Sequence, residues 1–260
     1  MIDKRLNGFG IAVTRPIDQA QRLCVAIEQH GGTAVLFPLI AIAPLEDYRE
    51  FEQTIASLES ATWAIFISTN AVDNAMPRLI NKFGNVHKNL KFAAIGHQTA
   101  KQLGLYGVYD VLVPQTRFDS ETLLALPEMQ DVAGQTIIIF RGVGGREVLG
   151  DTLKARGAKI IFAESYRRIN PQANCTELDR LWSKQQLQAI VVTSSEAMRH
   201  LLQMTHNGSD AWIRNIHICV NHARIAEEAN ALGLQVHIAD APSDEAMLAC
   251  LQQALLINHE

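Results

Sequence analysis

The sequence predicts an α/β protein built from two doubly wound parallel sheets with about five strands in each. Short β-branched runs alternate with helical patterns along the chain, and the strands are continuous apolar runs. The pattern also repeats after 126 residues, the spacing between Ile65 and Val191. Continuous apolar strands are typical of parallel sheets covered on both faces, and strict βα alternation gives a doubly wound, flavodoxin-like sheet.

Three pairs of segments show the repeat. Residues 9–15 return at 135–141, residues 64–71 return at 189–197, and Thr99-Ala100 returns as Ile225-Ala226. A repeat of this length is far longer than a solenoid unit and has the size of a small domain. Two similar domains would form a cleft, and ligands commonly bind in such clefts.

The elements follow in order from these patterns. The first strand precedes a helix over residues 17–30, which places Ala20, Leu23 and Ile27 on one face and ends at the pair Gly31-Gly32. The second repeat opens with the same βαβ unit, whose helix ends at Gly157. The predicted strands span residues 10–14, 33–37, 63–68, 92–96, 110–113, 136–140, 159–162, 188–193, 216–220 and 234–239.

The residues alone leave the domain boundary open. A sequential division would fall near residues 131–134. In an interleaved arrangement the first βαβ unit packs with the second repeat, and residues 38–42 and 164–169 cross together as two strands of a hinge. Periodicity does not choose between them.

Composition narrows the class of protein. The 260 residues carry 48% apolar and 19% charged side chains, with a net charge of −4, so no general basic field favours nucleic acid or an anionic membrane. No apolar run reaches the roughly 18 residues of a membrane span, and the N-terminus does not resemble a signal peptide. Four scattered cysteines show no metal-binding spacing. We therefore expect a globular cytoplasmic protein.

Candidate site residues follow the strands, because ligands bind at the carboxyl ends of strands in open α/β sheets. There is no carboxylate pair, no Ser-His-Asp set and no metal cluster. Arginines at strand ends would bind carboxylates or phosphates, although ordinary salt bridges are the alternative. Hydroxyl and amide side chains there would cap helices whose N-termini bind anions. The candidates are Arg15, Ser68, Thr69, Asn70, Thr99, Arg141, Gly142, Arg146, Ser194, Ser195, His222 and Arg224.

The glycine-rich segment at residues 142–145 weakly suggests a dinucleotide loop. The third glycine of that motif would fall at position 147, which is Glu147, so the motif is incomplete.

The ordered set of motifs resembles the uroporphyrinogen-III synthase family. It is carried by Val13-Thr14-Arg15-Pro16, Ser68-Thr69-Asn70-Ala71-Val72, Ala94-Ile95-Gly96-His97-Gln98-Thr99-Ala100, Arg141-Gly142-Val143-Gly144-Gly145-Arg146-Glu147, Tyr166-Arg167-Arg168, Val192-Thr193-Ser194-Ser195-Glu196-Ala197 and Arg224-Ile225-Ala226. The resemblance runs through nearly the whole chain.

The resemblance implies two interleaved domains joined by two crossing strands. Residues 1–37 and 170–260 would form one domain and residues 42–164 the other, with hinge strands at 38–42 and 164–169. It also implies a cofactor-free, metal-free, monomeric enzyme that converts hydroxymethylbilane into uroporphyrinogen III, with loss of water and inversion of ring D. A transient contact with hydroxymethylbilane synthase would fit this role.

The family's suspected acid matches Tyr166, and the family's threonine of the Gly-x-x-Thr-Ala turn matches Thr99, whereas the second repeat has Ile225 in that slot. The rival interpretation is a non-enzymatic two-domain binding protein resembling periplasmic-type sensors.

Overall fold

The computed structural model describes residues 5–84, 90–145 and 147–256. The chain forms two compact units that are interleaved in sequence. The discontinuous unit comprises residues 1–41 and 169–260, and the continuous unit comprises residues 42–168. Each contains a sheet whose core strands are parallel, which confirms the predicted fold class.

The strands are β1 (Gly10–Val13), β2 (Thr33–Leu36), β3 (Ala41–Ala43), β4 (Trp63–Phe66), β5 (Lys91–Ala94), β6 (Val111–Leu112), β7 (Thr136–Gly142), β8 (Lys159–Ile169), β9 (Ala189–Val192), β10 (His217–Val220) and β11 (Val236–Ile238). The helices are α1 (Ile17–Gln29), α2 (Arg49–Ala56), α3 (Thr69–Phe83), α4 (His97–Gly104), α5 (Ser120–Leu124), α6 (Val148–Ala155), α7 (Thr176–Ser183), α8 (Ser195–Met204), α9 (Ala211–Arg214), α10 (Ala223–Ala231) and α11 (Asp244–Leu256).

The two sheets have matching strand orders. The discontinuous unit has the order β11-β10-β9-β1-β2, and the continuous unit has β6-β5-β4-β7-β8 with β3 added beyond β8. Counted from the first strand of each βαβ unit, both follow the flavodoxin-like order 2-1-3-4-5. The two repeats have therefore exchanged their opening βαβ units: β1-α1-β2 joins strands of the second repeat, and β7-α6-β8 joins strands of the first.

Strand registers show that this exchange is reciprocal. Ile11 of β1 pairs with Ala189 of β9, and Ile137 of β7 pairs with Trp63 of β4. Adding 126 to 11 gives 137, and adding 126 to 63 gives 189, so the two junctions are equivalent pair for pair. The sequence repeat is thus preserved in the strand pairing.

Helices cover both faces of each sheet, as continuous apolar strands require. In the continuous unit, one face of the sheet packs against α2, α3 and α4, and the other packs against α5 and α6. In the discontinuous unit, one face packs against α7 to α10 and the other against α1 and α11. None of the helices in the described residues has the length and apolar character needed to cross a bilayer.

The crossing segments differ in detail from the expectation. Residues 159–169 form the single strand β8, where we expected a strand at 159–162 and a separate crossing strand at 164–169. No proline or glycine interrupts this stretch, and β8 lies between β7 and β3 in the sheet. The other segment becomes a strand at Ala41–Ala43 and not at 38–42. Pro38 lacks the N–H that a ladder needs, which favours the later start.

Candidate functional site

Each unit has a switch point where helices leave two neighbouring strands toward opposite faces of the sheet. These points lie between β7 and β4 in the continuous unit and between β1 and β9 in the discontinuous unit. In open α/β sheets such points at the carboxyl ends of strands form ligand sites. Most of the predicted residues follow the strands that flank these two points, whereas Thr99, His222 and Arg224 follow β5 and β10, one strand further along each sheet.

In the continuous unit the structure brings together Ser68, Gly142 and Tyr166. Ser68 follows β4, Gly142 ends β7 and Tyr166 lies on β8. The Tyr166 hydroxyl is 3.2 Å from Ser68 Oγ. The phenol reaches across the intervening strand because Gly142 has no side chain: a Cβ there would lie 2.7 Å from two atoms of the Tyr166 ring.

A β-bulge gives Tyr166 this direction. Arg141 pairs with Glu164, but the next residue, Gly142, pairs with Tyr166, so Ser165 is the extra residue on β8. Without the bulge, Tyr166 would share a face with Phe162. With it, Tyr166 is buried on the opposite face, in the cluster that contains α3. The Ser165 hydroxyl donates to the Arg141 carbonyl at 3.3 Å and fixes the bulge.

Arg141 points to the other face of the sheet from Tyr166. Its side chain is only 4% exposed, and the guanidinium carbon lies 4.6 Å from the centre of the Phe162 ring. Arg141 Nε is 3.8 Å from Glu164 Oε1 and donates to the Gly142 carbonyl at 3.3 Å. In this conformation the guanidinium is enclosed by its own unit, so the predicted carboxylate contact would require it to turn outward. Arg146 lies outside the described residues.

Two helices of the continuous unit begin at this edge. Thr69 and Asn70 form the first turn of α3 and are half-buried. Gly96 caps α4 without a side-chain bond, which leaves first-turn N–H groups available to an anion. Thr99, also in that first turn, is 6% exposed and faces the core.

In the discontinuous unit Arg15 is held by an acid. Arg15 Nη1 donates to Asp244 Oδ1 at 2.5 Å, with 12% and 19% of the two side chains exposed. Ser194 caps α8 by accepting from the Ala197 N–H at 3.1 Å, and Ser195 is the first residue of that helix.

The remaining candidates of the discontinuous unit lie at the start of α10. His222 caps α10, and its Nδ1 accepts from the Arg224 N–H at 3.2 Å. That bond requires the His222 ring to be unprotonated on Nδ1. Both side chains are exposed, so they are free to meet a ligand.

Sequence reasoning missed the two carboxylates that pair with the arginines. Asp244 begins α11, well separated in sequence from Arg15, and no motif links them. The pairing of Glu164 with Arg141 could have been predicted from strand alternation. Alternation places Glu164 on the face of Phe162 and Arg141 on the face of Ile137 and Ile139, and these two faces are the same side of the sheet. The described residues contain no group of three or more His, Cys, Asp or Glu side chains arranged to hold a metal ion.

The two switch points carry different side chains at positions that the internal repeat relates. Position 40 corresponds to position 166, and there the discontinuous unit has the buried Ile40. Position 16, which corresponds to Gly142, is Pro16. Of the two equivalent sites, only the one in the continuous unit carries a phenol beside a helix cap.

Comparisons with known proteins give a consistent result. The family model described as uroporphyrinogen-III synthase HemD matches residues 21–249. The curated uroporphyrinogen-III synthase of Escherichia coli K12 is 33% identical over 246 residues, covering 94% of this chain and 100% of that protein.

Solved structures share the fold. A mutant uroporphyrinogen III synthase from the extremely thermophilic bacterium Thermus thermophilus superposes with a TM-score of 0.63 at 15% identity, covering 96% of this chain and 100% of that one. The uroporphyrinogen-III synthetase of Helicobacter pylori 26695 gives 0.57 at 19% identity, with 96% and 100% covered.

Proposed function

The chain belongs to the uroporphyrinogen-III synthase family, and we propose that it cyclises hydroxymethylbilane to uroporphyrinogen III with loss of water and inversion of ring D. The reaction class is that of a cyclising lyase in tetrapyrrole and haem synthesis. The observation that carries the proposal within the structure is the Tyr166–Ser68 contact at the switch point of the continuous unit. A phenol at this strand end supports the proposal, because open α/β sheets bind their ligands at such positions.

The proposed reaction requires few acid–base groups. A hydroxyl group departs readily from the methylene of an electron-rich pyrrole, so the enzyme mainly holds the linear substrate in a cyclisable conformation. One proton donor for the departing hydroxyl would then suffice, and we propose Tyr166 for that role. A phenolic O–H is a hydrogen-bond donor, and such a bond is stronger in a low-dielectric site.

Substrate binding requires donors for eight carboxylates. We propose that helix N-termini and polar side chains supply them, since the N–H groups of a first helical turn bind anions without a lysine or arginine. In the continuous unit these are Thr69, Asn70, Thr99, Arg141, Gly142 and the N-terminus of α3, which Ser68 caps. In the discontinuous unit they are Arg15, Ser194, Ser195, His222 and Arg224.

The setting follows from the same proposal. We place the enzyme in the cytoplasm as a monomer that receives its unstable substrate from hydroxymethylbilane synthase through a transient contact. All four cysteines are free thiols, which is their ordinary state in a reducing compartment.

The test is the isomer formed from freshly generated hydroxymethylbilane. Without a synthase the bilane closes spontaneously to isomer I, so oxidation and chromatographic separation of isomers I and III report the activity directly. We expect isomer III as the main product and retention of activity after extensive dialysis against chelator. A two-domain binding protein, the rival interpretation, would leave isomer I alone.

A further inference from the structure

We propose that Ser68 is the positioning residue for Tyr166: it fixes the phenol and leaves the phenolic proton available to the substrate. This inference rests on the proposed function and assigns a task to a residue that would otherwise be read as a helix cap. Two contacts define it. Ser68 Oγ accepts from the Ala71 N–H at 3.1 Å and lies 3.2 Å from the Tyr166 hydroxyl.

The hydrogen-bond inventory permits the direction that the proposal requires, in which Ser68 donates to Tyr166. A serine hydroxyl has one proton and two lone pairs, and one lone pair of Ser68 is engaged by Ala71 N–H. Its own proton is then free to donate to Tyr166 Oη. The chain Ala71 N–H to Ser68 O–H to Tyr166 O–H is cooperative, each bond polarising the next. In this direction neither Ala71 nor Ser68 accepts the phenolic proton, so that proton can be donated to the substrate.

The same chain stabilises the product of proton transfer. As the C–O bond of the terminal hydroxymethyl group breaks, both bonding electrons leave on oxygen and the phenolic proton converts that group into water. The phenolate that remains accepts from the Ser68 hydroxyl, at the N-terminal end of α3, where a negative charge is favoured. The proton released from carbon when the ring closes restores the phenol, so atoms and charge balance over one turnover.

Packing leaves the phenol little freedom. Tyr166 is 3% exposed, its ring lies against the Gly142 backbone, and its carbonyl accepts from the Val143 N–H at 2.8 Å. The ring therefore lies between β7 and the buried cluster around α3. Ser68 is the partner that fixes where the hydroxyl stands along this path.

The internal repeat shows that capping alone does not account for Ser68. Ser194 occupies the equivalent position and makes the equivalent cap at the same 3.1 Å. The residue 126 positions before Tyr166 is Ile40, which has no hydroxyl, so the repeat preserves the cap at Ser194 without preserving the phenol. The additional contact is specific to the continuous unit.

The experiment measures steady-state formation of isomer III by Ser68→Ala, Ser68→Gly and Ser68→Thr, each alone and combined with Tyr166→Phe. Glycine is nearly as good a cap as serine, so Ser68→Gly removes the hydroxyl if Ser68→Ala folds poorly. Ser243→Ala is the matched control. Ser243 caps α11 by accepting from the Ala246 N–H at 3.2 Å, away from the phenol.

We expect Ser68→Ala and Ser68→Gly to lower kcat about tenfold with KM within about twofold, the effect of one lost hydrogen bond in the transition state. Ser68→Thr should retain kcat within about threefold, because it keeps the hydroxyl. In the Tyr166→Phe background, removing the Ser68 hydroxyl should change kcat less than about twofold. Ser243→Ala should lose stability but not kcat.

Two results would overturn the inference while leaving the function intact: wild-type kcat in Ser68→Gly, or an undiminished tenfold loss when Tyr166→Phe is already present. If the wild-type protein forms only isomer I, the proposed function itself fails and the positioning role fails with it.

Discussion

Replacing Gly142 with alanine should displace the proposed proton donor, Tyr166, while leaving its hydroxyl group in place on the ring. The added Cβ would lie 2.7 Å from Cε2 and Cζ of Tyr166, whereas ordinary carbon contacts begin near ~3.4 Å. The ring would have to retreat by about 0.7 Å. The Tyr166–Ser68 bond is already 3.2 Å long, and hydrogen bonds weaken beyond about 3.5 Å. A retreat of that size directed away from Ser68 would lengthen the contact to about 3.9 Å and break it.

The magnitudes follow from these contacts. Overpacking of this kind costs about 1–3 kcal/mol of stability. That corresponds to a drop in Tm of roughly 3 °C per kcal/mol for a protein of this size. If the hydroxyl acts as a general acid, losing its position should lower kcat by up to about 10²-fold.

The assay is isomer III formation with circular dichroism melting on the same samples. Gly104→Ala is the control, since its Cβ would make only an ordinary contact, 3.7 Å from Tyr109, in helix α4 of the same unit. We expect it to keep both activity and stability. A Gly142→Ala enzyme with wild-type kcat would refute the argument that the phenol must pass over residue 142.

Four further predictions follow from described contacts. Tyr166→Phe should lower kcat about 10²-fold while the free energy of unfolding falls by about 1 kcal/mol, the value of one hydrogen bond; a fully active variant would remove Tyr166 from the chemistry. Arg15→Ala and Arg141→Ala should each raise KM more than they lower kcat, since both remove ground-state binding; unchanged kinetics in both would contradict the proposed carboxylate contacts. Gly10→Ala should destabilise the protein by more than about 3 kcal/mol, because its Cβ would lie 1.8 Å from the Gln186 carbonyl oxygen; a melting temperature near wild type would contradict the close approach of these backbones. Burial lowers the pKa of both His217 and His237, and the neighbouring imidazole of His237 lowers the pKa of His217 further, so both stay neutral in the folded state at a pH where the unfolded chain takes up protons. Melting experiments between pH 7.5 and pH 5 should therefore show the stability falling as the pH drops below ~6.5. His237→Gln removes one of the two groups and should make this fall less steep.

The strand framework was predictable because it depends on local pattern. Apolar runs and their 126-residue spacing located the core strands, and the matching registers of Ile11 with Ala189 and Ile137 with Trp63 follow the same spacing. The caps at Ser68 and Ser194 were predictable for the same reason, since an N-cap is defined by the residue that precedes an apolar helical pattern.

The direction of the site side chains was less predictable. The position of Arg141 at a strand end predicts a ligand contact but not the burial of its side chain, which strand alternation places on the face of Ile137 and Ile139. The direction of Tyr166 could not be found from alternation, because the bulge at Ser165 reverses it. A bulge is a feature of the pairing between two strands, so the sequence of one strand alone does not predict it. The pairing of Arg15 with Asp244 likewise depends on how α11 packs.

The reciprocal exchange of βαβ units brings the residues of the proposed site into one sheet. Ser68 belongs to the first repeat, whereas Gly142 and Tyr166 belong to the second. In a sequential division near residues 131–134, Ser68 would end a strand in one sheet and Tyr166 would lie in the other. The observed pairing of β7 with β4 in one sheet brings a cap from one repeat beside a phenol from the other. At the equivalent junction of β1 with β9, Ser194 caps a helix in the same way, and the residue 126 positions before Tyr166 is Ile40. The interleaved topology therefore has two similar strand-end sites, and one bulge, one glycine and one tyrosine give the continuous unit the phenol that we propose as proton donor.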